Sequence, residues 1–293
     1  MKFLVKCSNW FIKWFVFTLL RKVKTKSIES VLKNAMGLLE QDSLLEMKAF
    51  VRSRLTQPGG FADRSGSCDM YYTLFGYYLT ELFSLEDVKE KCIQYVQQSV
   101  SGSKLQGVEL FCGAILYTKL CGWGPFSRKL RNQVIAELNN TSGKQSGYNM
   151  FMGILALYYL GEYIEINHRF SQMKTLHFEQ PMACPLSAAA IILCTIAGKP
   201  DLYAQDNLYK YYRGNGGFAA LSDAPSEDLL STAVALYSLH FIDADLKLIK
   251  PDCFNFVTDL YCEGGFRSMP FDTVTDVEYT FYGLLALGSL HST

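Results

Sequence analysis

Apolar and polar positions alternate in blocks along the chain. The strings LFCGAILY, MFMGILALYYL and AAAIILC are apolar on nearly every side. Between such runs lie segments, Leu85 to Ser99 and Pro125 to Leu138 among them, where apolar residues recur at helical spacing against a polar face. A helix that is apolar all round must be buried, and one with a single apolar stripe lies on the outside. The pattern predicts helix pairs, each with an apolar inner and an amphipathic outer member.

The pairs repeat. Gly59-Gly60-Phe61 is followed by Asp69, Tyr72-Thr73 and Gly76. Gly216-Gly217-Phe218 is followed by Asp228, Ser231-Thr232 and Ala235, and Gly264-Gly265-Phe266 by Asp276, Tyr279-Thr280 and Gly283. Each string reads as a glycine turn, a short loop, an Asp, and an apolar helix with a small residue seven positions after the Asp. Gly113, Gly153 and Ala190 mark three weaker copies, so the small residues are spaced by 37, 40, 37, 45 and 48 positions. Periods near 40 residues signal an array of like units. The fold class expected is all-α, an (α/α)6 toroid of six helix-pair repeats over residues 27–293, in which small residues let neighbouring inner helices approach. An open solenoid of the same pairs is the alternative. It needs polar capping repeats, and the last unit ends in the apolar string YGLLALGSL.

Residues 1–26 stand apart as a second segment. On a helix, Lys2, Lys6, Asn9 and Lys13 form one polar stripe against a face holding Trp10, Phe11, Trp14, Phe15 and Phe17. The unbroken apolar run, Trp14 to Leu20, is shorter than the roughly 20 residues a bilayer span needs. An amphipathic N-terminal helix lying in a membrane interface fits the pattern. A secretory signal or a helix packed on the domain are the other readings.

Composition narrows the classes. The chain of 293 residues is 49% hydrophobic and 19% charged, the balance of a folded protein. Lys+Arg and Asp+Glu are 28 each, which disfavours nucleic acid as a partner. The neutrality hides an asymmetry: Lys2, Lys6, Lys13, Arg21, Lys22, Lys24 and Lys26 face no acid within residues 1–26. Attraction to an anionic surface therefore belongs to the N-terminus. Nine cysteines without a CxxC pair read as reduced thiols in a cytoplasmic protein, peripherally membrane-associated through residues 1–26.

The glycine turn followed by D-x-x-[YS]-T resembles the repeat of protein prenyltransferase β-subunits and of squalene and terpene cyclases. The resemblance implies a toroid whose central aromatic cavity holds a long isoprenoid. It also supplies chemical tests. The prenyltransferases hold zinc through D-x-C in the penultimate glycine repeat and D-x-x-H-T in the last. Here those strings read Asp228-Leu229-Leu230 and Asp276-Val277-Glu278-Tyr279-Thr280. One ligand of three survives, so no zinc cofactor and no zinc-thiolate transfer is expected. The D-x-D-D acid motif of the cyclases is absent, and Asp243-Ala244-Asp245, the nearest string, reads as a solvated turn.

Candidate chemistry centres on Asp69, Asp228 and Asp276, equivalent residues of units one, five and six. In a closed ring they occupy one sector of one rim. They are either helix caps or a carboxylate cluster acting as general acid or as ligands of Mg²⁺ bridging a diphosphate. Glu109, a carboxylate in an apolar helix, is a fourth catalytic candidate. Arg64 and Arg267 follow glycine turns and could reach the same rim. Tyr71, Tyr72, Phe75, Phe111, Tyr237, Tyr279 and Tyr282 are the aromatics expected to bind substrate, others serving as core between the helix layers. The expected function is a terpene-cyclase-like or prenyltransferase-like enzyme for an isoprenoid or other long apolar substrate. The alternatives are a non-catalytic lipid- or peptide-binding toroid and a scaffold docking a protein partner.

Overall fold

A computed structural model of the chain describes residues 24–102, 104–140, 147–172 and 182–291. The expected N-terminal helix falls, up to residue 23, outside them. The described residues are mostly helical, an all-α fold with one small sheet. In chain order the helices are α1 (Ile28–Ala35), α2 (Gln41–Ser53), α3 (Met70–Leu82), α4 (Glu86–Gly102), α5 (Gly107–Cys121), α6 (Ser127–Asn140) and α7 (Gly147–Tyr159). Then follow α8 (Tyr163–Gln172), α9 (Cys184–Ile196), α10 (Ala204–Tyr209), α11 (Leu229–Phe241), α12 (Lys250–Asp259) and α13 (Val277–His291). A 3₁₀ turn, Met36–Leu38, follows α1.

The apolar runs of the sequence are α3, α5, α7, α9, α11 and α13. Their packing order is sequential: α3 against α5, α5 against α7, α7 against α9, α9 against α11 and α11 against α13. α13 also packs against α3. The amphipathic helices α4, α6, α8 and α12 each pack on the inner helix before them in sequence or on the one after. Buried residues of α4 (Val88, Cys92, Val96, Val100) recur every four positions, a single stripe turned to the inner layer.

The glycine-turn motif has a local physical cause. In units one, five and six the Asp side chain caps the inner helix, accepting from the N–H of Tyr72 (2.6 Å), Ser231 (2.7 Å) or Tyr279 (2.8 Å). The Thr four positions after the Asp donates its hydroxyl to that Asp's carbonyl. The same hydroxyl accepts from the buried N–H of the motif Phe: Phe61 at 3.0 Å, Phe218 at 2.8 Å, Phe266 at 3.2 Å. In unit six this pairing extends to a three-stranded antiparallel sheet of β1 (Tyr261–Cys262), β2 (Gly265–Arg267) and β3 (Thr275–Asp276). Single bridges at Phe61 and Phe218 are its counterparts in units one and five.

The small residue serves the motif Phe, which revises the expectation that it brings inner helices together. A Cβ on Gly76 would stand 2.2 Å from the ring of Phe61, and one on Gly283 would stand 2.5 Å from that of Phe266. In weaker copies Leu105 faces Gly113 and Leu138 faces Gly153.

The turn glycines show which outer helix lies behind α13. Gly59 lies against the Lys91 carbonyl of α4, Gly216 against that of Asp252 in α12, and Gly264 against that of Glu46 in α2. Their neighbours Gly60, Gly217 and Gly265 face Tyr95, Phe256 and Phe50, each one helical turn further along the same outer helix. α2 is therefore the outer partner of α13, although it is early in the chain and α13 is last. α1 runs along α13, with Gly288 beneath the Val31 carbonyl.

Candidate functional site

Between the inner helices lies a cavity of about 340 Å³. Its walls come from α1, α3, α7, α9, α11 and α13, and among the described residues its ionisable side chains are the tyrosines 71, 78, 148, 237 and 282. Aromatic packing shapes it. Phe75 sits 4.9 Å from Tyr71, 5.0 Å from Phe281 and 5.5 Å from Tyr282, centroid to centroid, so one aromatic wall joins α3 to α13. Leu186, Ala188, Ala189 and Ile192 form the opposite wall.

Of the aromatics expected to bind substrate, Tyr71, Phe75, Tyr237 and Tyr282 line this cavity. The structure places the others elsewhere. Phe111 is buried in the core on α5, which contributes nothing to the wall. Tyr72 stands beside Tyr71 outside the lining, with ring centroids 5.7 Å apart. Tyr279 lies under the guanidinium of Arg64, 4.9 Å from its ring centroid.

The carboxylates expected to act together are held apart by separate duties. Asp69 and Asp228 cap their own helices, and burial pushes both above the usual carboxylate range. Asp276 caps α13 and accepts from Arg64 Nε at 2.6 Å, while Arg64 Nη2 reaches Asp272 at 2.9 Å. Arg64 thus joins the loop before α3 to the loop and cap before α13. Arg267 turns away and donates to the Asp259 carbonyl at 2.8 Å. Glu109 reaches sideways to the start of α3, accepting from the N–H of Met70 (3.0 Å) and Tyr71 (3.3 Å). A carboxylate at a helix N-terminus satisfies orphan donors and the positive dipole end. Among the described residues no three His, Cys, Asp or Glu side chains converge on one position. A divalent cation therefore does not fit the Asp set: Asp276 has one oxygen on the Tyr279 amide and the other on Arg64.

Glu278, two positions after Asp276, is the carboxylate nearest the cavity wall that sequence reasoning passed over. It is buried and accepts the Tyr71 hydroxyl at 2.6 Å. Burial, then the neighbouring Asp276 charge, push it up to about 7 against hydrogen bonds that favour its ionised form. Its signal in the sequence is the one Glu109 gives, an acid in the first turn of an apolar helix. Of the residues compared with zinc ligands in the sequence, Leu230 lies in the cavity wall and Tyr279 under Arg64.

At the far end of the cavity the chain enters α1. Ile28 forms part of the wall. The Lys26 ammonium is held by the carbonyls of His240 (2.9 Å) and Phe241 (3.2 Å) at the end of α11, and by Asp243. Asp243 sits in an exposed turn, as expected, and has a cationic partner there. The Tyr237 hydroxyl donates to the Lys26 carbonyl at 2.8 Å. Glu29 pairs with Lys119 at the end of α5 and accepts from Tyr159 at 2.7 Å at the end of α7. Lys119 also lies 4.4 Å from the Tyr159 ring centroid and 5.2 Å from that of Tyr78. These contacts place the C-terminal ends of α5, α7 and α11 together at one end. The caps and Arg64 place the N-terminal ends of α3 and α13 at the other.

No family model matches the chain, and no curated protein matches its sequence.

Proposed function

We propose that residues 27–293 are an (α/α)6 toroid that holds one apolar chain, of isoprenoid or lipid type, in its central cavity. The polar end of the ligand meets the Glu278–Tyr71 pair, and residues 1–26 keep the protein at a membrane surface where such ligands reside. The observation that carries this reading is the cavity itself. Its volume of about 340 Å³ falls within the 300–1,000 Å³ typical of small-molecule sites. At about 30 Å³ for a water-sized group it takes on the order of ten carbons. Tyrosine hydroxyls are the polar groups of its wall, so an apolar chain loses no hydrogen bonds on entry. The return of α13 to α3 supports a closed ring over an open solenoid.

An enzyme of the cyclase-like or prenyltransferase-like class is the second reading, and Glu278 favours it. A carboxyl poised near pH 7 suits proton transfer. Its hydrogen bond to Tyr71 links it to the cavity wall.

Two measurements on the full chain test these readings. Lipids extracted from the purified protein, and titration with fluorescent fatty acids and prenols, report binding. Leu74→Trp fills the cavity and should abolish binding while leaving the thermal transition in place; binding that survives, or no apolar ligand at all, refutes the first reading. Incubation with C10 to C30 isoprenoid diphosphates followed by mass spectrometry reports chemistry. Turnover lost in Glu278→Gln and kept in Asp69→Asn and Asp228→Asn supports the second reading. An unchanged panel leaves the binding protein.

A further inference from the structure

We propose that the polar end of the cavity selects an uncharged head group that donates a hydrogen bond, so that the apolar chain held there is an alcohol and not a carboxylic acid, a diphosphate or an amine. The inference rests on the proposed function and adds the chemistry of the ligand's polar end.

The hydroxyls around Glu278 carry it. Glu278 is buried on α13, behind the cavity wall rather than in it. It accepts the hydroxyl of Tyr71, from α3, at 2.6 Å, and Tyr72 is a second hydroxyl partner. A phenol has one proton to give and lone pairs to receive with. The Tyr71 proton is committed to Glu278, so its oxygen can only accept from any other group. Tyr148 of α7 and Tyr282 of α13 line the same cavity and are hydrogen-bonding neighbours of that hydroxyl. Protons in this group run toward the carboxylate, and lone pairs are what remains for a ligand. The hydroxyl of an alcohol donates to one of them.

Charge excludes the other head groups. Among the described residues no Lys, Arg or His lines the cavity. The Arg64 guanidinium is held by Asp276 and Asp272. At the opposite end Lys119 is paired with Glu29, and Lys26 with Asp243. A carboxylate or diphosphate would therefore bring acceptors to a wall that offers acceptors, beside Glu278 and without a cation. An unpaired ion in an apolar site costs far more than a hydroxyl with one hydrogen bond. An ammonium can donate, but no carboxylate stands in the described wall to pair with its charge.

A set of ten-carbon ligands that differ only in the head group tests this on the full chain. Geraniol, geranylamine, geranic acid, geranyl diphosphate and the parent hydrocarbon 2,6-dimethyl-2,6-octadiene each compete with N-phenyl-1-naphthylamine, an uncharged fluorescent probe. At pH 8 Glu278 is mostly ionised. Geraniol should bind about threefold to tenfold more tightly than the hydrocarbon, and about a hundredfold or more tighter than the acid and the diphosphate. Tyr71→Phe should erase the advantage of geraniol and leave the hydrocarbon unchanged. Glu278→Gln keeps an acceptor for Tyr71 and removes the charge, so the acid should gain on geraniol by about tenfold. Geraniol no tighter than the hydrocarbon overturns the proposal and leaves the hydroxyl group as a brace between α3 and α13. A tightest acid or diphosphate overturns it in favour of an anionic head, and a tightest amine in favour of direct pairing with Glu278. Displacement by the hydrocarbon without any preference among heads removes this inference alone; a probe that none of the five displaces removes the proposed function with it.

Discussion

Thr73, Thr232 and Thr280 each hold two backbone groups at once, the Asp carbonyl before the inner helix and the N–H of the motif Phe. The Phe amide is buried and has no route to water. Thr280→Val keeps the shape and removes the acceptor for Phe266, so the cost is that of an orphaned buried donor, about 1–3 kcal/mol. Urea unfolding should show this loss, and Thr280→Ser should restore most of it. Glu278 gives a second prediction at the same scale. Its carboxyl stands near 7 in the folded protein against an ordinary 4.5. The folded state therefore binds the proton more tightly than the unfolded chain. The contribution of Glu278 to stability is fully present below pH 4.5 and is lost as pH rises through 7, about 3 kcal/mol in all. Glu278→Gln should flatten that slope in thermal unfolding between pH 4.5 and 8; an unchanged slope assigns the pH dependence to another group. The caps at Asp69, Asp228 and Asp276 were legible as one alternative from their place before apolar runs. The link between Tyr71 and Glu278 was not, because it joins residues 207 positions apart.

Inner helices end as regularly as they begin. Ser84, Gly122, Gly161, Gly198 and Asp243 follow α3, α5, α7, α9 and α11 in the left-handed region, and bonds such as Leu85 N–H to the Thr80 carbonyl complete the caps. The periodicity of the sequence located these helices because a buried helix leaves a long apolar run. It did not show what the small residues do, since a Gly that accepts a neighbouring helix and a Gly that accepts a ring look alike in one dimension. Gly283→Ala places a methyl inside the Phe266 ring, and overpacking of this kind costs about 1–3 kcal/mol. Phe266→Leu in the same chain should recover part of the loss, a coupling that two independent sites would not show. Additive losses in the four-variant cycle would mean that Gly283 serves helix contact after all.

At the scale of the molecule, the last inner helix is packed by the first elements of the chain. α13 comes last, and its outer partner α2 and its neighbour α1 come first. The sequence suggested closure through the apolar last helix, but α2 carries no glycine turn of its own and its role emerges only from what Gly264 and Gly265 touch. An open array lets terminal units fray one by one. Here the first and last helices cannot leave without breaking the α13–α1 and Arg64–Asp276 contacts. Urea transitions followed by far-ultraviolet dichroism and by tyrosine environment should therefore coincide. Gly288 is the position at which the α13–α1 packing can be loosened selectively. A Cβ there would lie 1.9 Å from the Val31 carbonyl oxygen, and a backbone atom in a helix cannot step aside as a side chain can. Gly288→Ala should push α1 off α13, lower stability by about 2 kcal/mol or more, and draw Ile28 out of the cavity wall. The rate at which a fluorescent lipid leaves the cavity should then rise. A destabilised variant with an unchanged release rate would mean that ligands pass instead between the inner-helix N-termini, where Glu278 and Tyr71 stand.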